Sequence, residues 1–128
     1  MNTAEVDFTA APPPEKKVRV RAWAKTKSEH QTENDVESYL MEQWEALGGT
    51  TRKWSSPAYR AVPDRILFHP ALKGRPLFVE CKAPGKTLTE AQYEEHQKLL
   101  AVGALCSMVD SKQAVDRFIA DIRRLSRI

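Results

Sequence analysis

Val36, Tyr39, Leu40, Trp44 and Leu47 recur at steps of three and four, so residues 33–47 are predicted to form an amphipathic helix with one buried stripe. Thr32 offers an N-cap, with Asp35 three residues on as the other half of a weak capping box. Gly48-Gly49 stops the helix. The pattern then shortens. Residues 50–55 (Thr-Thr-Arg-Lys-Trp-Ser) predict a strand, 56–63 a loop, 64–68 a second strand and 69–75 a hairpin turn. Residues 76–82 (Pro-Leu-Phe-Val-Glu-Cys-Lys) are an almost unbroken apolar run, which suits a central third strand. Pro84-Gly85 ends it. Thr89 caps a second helix that runs to about residue 102, with Leu99, Leu100 and Val102 among its apolar positions, and Gly103 stops it. Residues 104–109 give a fourth strand. Residues 111–125 give a third helix carrying Val115, Phe118, Ile119, Ile122 and Leu125.

The order α-β-β-β-α-β-α predicts an α/β fold. The first three strands form an antiparallel meander. The third strand, second helix and fourth strand form a βαβ unit whose strands are parallel. The result is a mixed four-stranded sheet flanked by helices, spanning residues 31–128. Residues 1–30 read as a tail. Pro12-Pro13-Pro14 excludes regular helix, and Lys16, Lys17, Arg19, Arg21, Lys25 and Lys27 follow. Two readings of that stretch stand side by side: a basic arm touching nucleic-acid phosphates, and a solubilising leader.

Composition narrows the class. Two cysteines, Cys81 and Cys106, exclude a disulfide scaffold or a cysteine-rich zinc module. His30, His69 and His96 lack zinc-ligand spacing. No apolar run approaches the roughly 18 residues of a membrane span, and the N-terminus lacks the pattern of a secretory signal. The expectation is therefore a cytoplasmic protein that uses no membrane. A net charge of +3 is mild, so charge placement matters more than charge total.

The chemistry gathers at strand ends. Asp64 opens the second strand, and Glu80 and Lys82 close the third. Residues i and i+2 of a strand share a face, and the hairpin brings Asp64 beside Glu80. Two carboxylates and an ammonium at one sheet edge suit Mg²⁺ or Mn²⁺. The plainer reading is a solvated surface cluster. Against it, charge at the end of an apolar strand is costly unless paired or metal-bound.

Five blocks in order carry a resemblance: Glu33-Asn34-Asp35-Val36-Glu37-Ser38-Tyr39-Leu40, Leu47-Gly48-Gly49, Val62-Pro63-Asp64-Arg65, Phe78-Val79-Glu80-Cys81-Lys82-Ala83-Pro84-Gly85-Lys86, and Gln92 with Val109-Asp110-Ser111. Together they resemble the VRR-NUC (virus-type replication–repair nuclease) family of the PD-(D/E)XK nucleases, in particular its small stand-alone phage members. The likeness covers roughly residues 32–120. Ala61 departs from the usual glycine and bears on the loop before Pro63. The resemblance implies a restriction-endonuclease-like core and a metal-dependent endonuclease whose products carry 5′-phosphate and 3′-hydroxyl ends. It implies that Asp64, Glu80, the backbone carbonyl of Cys81 and Glu37 hold the metal, with Glu33 in reserve one turn earlier. Lys82 is then the catalytic lysine, and Gln92 reaches the active site.

Further expectations complete the reading. Tyr59, Arg60, Arg65 and Lys86 are candidates for DNA phosphate contacts, against the alternative of plain surface charge; Ser55 and Ser56 are weaker ones. Cys81 and Cys106 read as buried filler and Trp44 as core. Trp54 is core or a base-stacking ring, and Trp23 in the tail could stack on bases too. Arg123, Arg124 and Arg127 add basic charge near the C-terminus. So small a domain has little surface for reading sequence, which points to branched, junction (Holliday junction) or flap DNA in replication, repair or recombination. A four-way junction needs paired sites, hence a homodimer. The alternatives are a non-catalytic nucleic-acid-binding module working with a helicase or replication protein, and an RNA nuclease. A phage-encoded chain would act in the host cytoplasm.

Overall fold

The computed structural model describes residues 31–126. The expectations for the tail before residue 31, including its basic run and Trp23, and that for Arg127 lie outside them. The elements are α1 (Glu33–Ala46), β1 (Thr50–Lys53), β2 (Arg65–Phe68), a 3-10 turn (Pro70–Leu72), β3 (Leu77–Cys81), α2 (Glu90–Ala101), β4 (Leu105–Val109) and α3 (Lys112–Ser126).

Side-chain caps set the helix starts. Thr32 Oγ1 accepts from Asp35 N–H, and the Asp35 carboxylate accepts from Thr32 N–H, a complete capping box. Thr89 and Gln92 repeat that arrangement at α2. Ser111 Oγ accepts from Ala114 N–H at the start of α3. After α1 the chain must reverse tightly. Gly48 takes φ +93°, open to glycine at little cost. Gly49 lies so close to the Trp44 indole that a Cβ there would collide with the ring.

The sheet runs β1-β2-β3-β4. β1 and β2 are antiparallel (Thr51 opposite Leu67, Lys53 opposite Arg65), as are β2 and β3 (Arg65 opposite Val79). β3 and β4 are parallel, with Glu80 level with Met108. The predicted mixed sheet flanked by helices is therefore the observed one. Boundaries shift slightly. β1 ends at Lys53 rather than at residue 55, although Trp54 N–H still donates to Asp64 O. Asp64 precedes β2, and the predicted hairpin contains the 3-10 turn.

Strand alternation splits the core in two. Leu67, Leu77, Val79, Cys81, Leu105 and Val109 join Val36, Leu40 and Trp44 of α1 and Val115, Phe118, Ile119 and Ile122 of α3. Phe78, Ala104 and Cys106 form a smaller cluster with Trp54, Ile66, Leu99 and Leu100. Trp54 packs on Phe78 at 5.0 Å between ring centroids, so it is half-buried core. Val102, counted among the apolar positions of a helix ending at about residue 102, is the C-cap just past Ala101 and is exposed; the buried residue of α2 is His96. All five residues of β3 are buried, so it is the central strand its apolar run predicts, and it carries Glu80 inside. Among the described residues no helix is long and apolar enough to cross a membrane.

Candidate active site

Asp64 sits where β2 begins, and Glu80 and Lys82 where β3 ends. Antiparallel pairing of β2 with β3 puts those two points at the same sheet edge. The Asp64 carboxylate accepts the Cys81 backbone N–H at 2.9 Å, which ties it to β3. α1 starts above this edge, and its first residue is Glu33. One carboxylate oxygen from each of Glu33, Asp64 and Glu80 lies within 4.8 Å of the others.

Glu80 is the most constrained of the three. It is 2% exposed. Its Oε2 accepts from Gln92 Nε2 at 3.1 Å and lies 3.6 Å from Lys82 Nζ. Its Oε1 is buried with no hydrogen-bond partner. Burial pushes its carboxyl up to about 8, and repulsion from Asp64 adds to this while Lys82 opposes it. The charge of Glu33 acts in the same upward direction. Gln92 does two things at once: its Oε1 caps α2 through Thr89 N–H, and its Nε2 orients Glu80.

Glu37 does not join the trio. Its Oε2 accepts from Arg65 Nε at 2.7 Å and lies 3.3 Å from Lys53 Nζ. The helix carboxylate that the structure brings to Asp64 and Glu80 is Glu33, the reserve candidate. Arg65 differs from expectation for the same reason. Its side chain is 11% exposed and bonded to Glu37, rather than presented to a DNA phosphate. Tyr59, Arg60 and Lys86 are exposed, as a DNA contact would need, and so is Ser55, while Ser56 is half-buried. Cys81 contributes its N–H to Asp64, and its side chain is fully buried in the larger core, with the thiol pushed up by burial. Cys106 is likewise buried, donating weakly to the His96 carbonyl.

Two participants were not singled out from sequence. Lys53 is recognisable only once β1 is registered against β2, opposite Arg65. His96 is fully buried, and neither ring nitrogen has a hydrogen-bond partner among the described residues. Burial, then the nearby Lys82 charge, holds it down to about 4, so the ring is neutral. Its place four residues after Gln92, on the same helical face, was the available signal.

The donor set fits a hard divalent cation. Three carboxylates converge, one buried oxygen among them has no partner, and a carboxyl held up to about 8 is relieved by a cation. A cation held by such a cluster, with a lysine beside it, can activate water and polarise a phosphoryl oxygen. Comparison with known proteins gives the family. Over 80 residues the chain is 40% identical to "Putative nuclease p44" of Acyrthosiphon pisum secondary endosymbiont phage 1, a match covering 62% of this chain and 84% of that one. A solved structure described as a VRR_NUC domain superposes with a TM-score of 0.63 at 33% identity, covering 70% of this chain and 97% of the other. No family profile matches the chain. The chain belongs to the VRR-NUC family of nucleases.

Proposed function

We propose that the protein is a Mg²⁺- or Mn²⁺-dependent DNA endonuclease that hydrolyses phosphodiester bonds in branched DNA. The observation that carries this reading is the convergence of Glu33, Asp64 and Glu80 within 4.8 Å, beside the Lys82 ammonium. Glu33, Asp64 and Glu80 would hold the ion, with the Cys81 backbone alongside. Bound there, a divalent ion lowers the pKa of water and polarises a phosphoryl oxygen.

The chain's own residues do the rest. Gln92 keeps Glu80 turned toward Asp64. Lys82, 12% exposed at the mouth of the site, carries three donors that can orient the attacking water and offset charge developing on the phosphate. Asp64, pinned by Cys81 N–H, stays fixed while the phosphate is positioned. Exposed Arg60, Tyr59 and Lys86 supply contacts to the DNA backbone. These contacts carry no base information, so the substrate is selected by shape: junctions, forks or flaps arising in replication, repair or recombination. Cutting a four-way junction symmetrically takes two sites, which a homodimer provides. A phage-borne member would act in the host cytoplasm, beside a helicase or other replication protein.

The test is cleavage of linear, nicked, flap, fork and four-way DNA, and of RNA, with Mg²⁺, Mn²⁺ or EDTA. Metal-dependent cutting of branched DNA, reduced at least about 100-fold by Lys82→Ala with the fold retained, is the expected result. Binding of DNA without cutting under every metal condition refutes it, and faster cutting of RNA would reassign the substrate.

A further inference from the structure

α1 carries two glutamates one turn apart, and they face different partners. Glu33 stands with Asp64 and Glu80. Glu37 is buried and already holds two cations, the Arg65 guanidinium at 2.7 Å and the Lys53 ammonium at 3.3 Å. Those cations come from opposed residues of β1 and β2, so one carboxylate ties both strands to the helix.

Arg65 is also the residue after Asp64. Asp64 is fixed to β3 through Cys81 N–H and to the residue that follows β1 through Trp54 N–H, which donates to its carbonyl at 2.9 Å. Apolar packing by Val36, Leu40 and Trp44 holds α1 on the sheet, but such contacts are non-directional and allow small slides. A charge-assisted hydrogen bond at 2.7 Å is directional and sets the register of α1 along β2. One turn of helix, about 6 Å for four residues, then separates that fixed point from Glu33.

We infer that Glu37 is a positioning residue and not a metal ligand: through its ion pair with Arg65 it holds the start of α1 so that Glu33 meets Asp64 and Glu80. The inference rests on the proposed metal site. Its signature differs from that of a ligand and from that of a bystander charge. A ligand, when neutralised, removes a coordination partner by itself. A bystander charge acts through the field, so losing Glu37 weakens cation binding while losing Arg65 tightens it. A positioning pair weakens binding whichever partner is lost, and losing both costs no more than losing one.

The experiment is calorimetric titration of Mn²⁺ into metal-free wild type, Glu37→Gln, Arg65→Gln and the double variant, with thermal unfolding of each. Both single variants are expected to bind Mn²⁺ about tenfold more weakly, with the number of ions unchanged, and the double variant no more weakly than the worse single. Additive losses, an ion lost on Glu37→Gln alone, opposite signs for the two singles, or lowered unfolding temperatures with unchanged Mn²⁺ affinity each overturn the inference. Should the neutral variants not fold, Glu37→Asp and Arg65→Lys keep both charges while altering reach and fork geometry. They are expected to weaken Mn²⁺ binding too, and unchanged affinity in both overturns the inference. Wild type that binds no Mn²⁺ overturns the proposed function and this inference together, whereas wild-type binding with an additive cycle overturns the inference alone.

Discussion

Replacing Glu80 by glutamine keeps the shape of a fully buried side chain and removes its ionisation. In the metal-free protein the Glu80 carboxyl is pushed up to about 8, by burial first and by Asp64 second, from an ordinary value of 4.5. Below about pH 4.5 it is protonated in folded and unfolded chains alike. Between 4.5 and 8 the unfolded chain releases the proton and the folded chain keeps it, so rising pH favours unfolding. Each tenfold of retained proton affinity is about 1.4 kcal/mol, so the loss at pH 8 and above is on the order of 4 kcal/mol. Glu80→Gln escapes that loss and can still bond Gln92. In EDTA the two proteins are expected to unfold at similar temperatures near pH 4.5. The variant should then gain on wild type up to about pH 8, by about 10 °C or more for a domain of this size. Mn²⁺ should narrow the gap at pH 8: at about 100 times its dissociation constant it adds roughly 2.7 kcal/mol to wild type and little to the variant. Circular dichroism melts across pH 4.5–9, with EDTA and with Mn²⁺, measure both effects. A difference between wild type and variant that stays flat with pH would refute the argument from burial, and with it the idea that the site is destabilised until a cation arrives.

Two more outcomes follow from the same geometry. Gly49→Ala should destabilise by about 1–3 kcal/mol in urea unfolding, because the added methyl collides with a Trp44 ring fixed by its hydrogen bonds to Thr50 O and Phe68 O, both 3.1 Å; a neutral result would show that the ring can shift. His96 is held down to about 4 from 6.5, so the unfolded chain takes up a proton that the folded chain refuses, and wild type loses stability as pH falls through that window. His96→Leu should be close to neutral in stability at pH 7 and increasingly more stable than wild type toward pH 4 by thermal melts; a parallel decline of the two proteins would contradict the buried, neutral ring.

Much of this architecture was legible from local pattern. Step-of-three-and-four apolar spacing placed α1 and α3. Caps at Thr32 and Thr89 and glycines after the helices set their ends. The continuous run Leu77–Cys81 marked the central strand, because a strand buried on both faces shows no alternation. Asp64, Glu80 and Lys82 were recognisable as candidates because hairpin pairing alone brings the start of β2 to the end of β3. The exposure of Val102 was not legible, since apolar character alone does not say which side chains packing covers.

By itself the sequence determined the element order, the mixed sheet and the edge at which the acids gather, all consequences of backbone geometry with periods of two and 3.6 residues. Only the tertiary structure decided which helix glutamate joins them. Glu33 and Glu37 are four residues apart and differ by only about 40° around the helix axis, so no periodicity can separate them. What separates them is the seating of α1 on the sheet, where Arg65 and Lys53 claim Glu37 and leave Glu33 facing Asp64 and Glu80. The same is true of His96: that its ring is sealed from water beside the charge of Lys82 follows from how α2 lies against β4, and distance in space, unlike spacing in the chain, is fixed by packing.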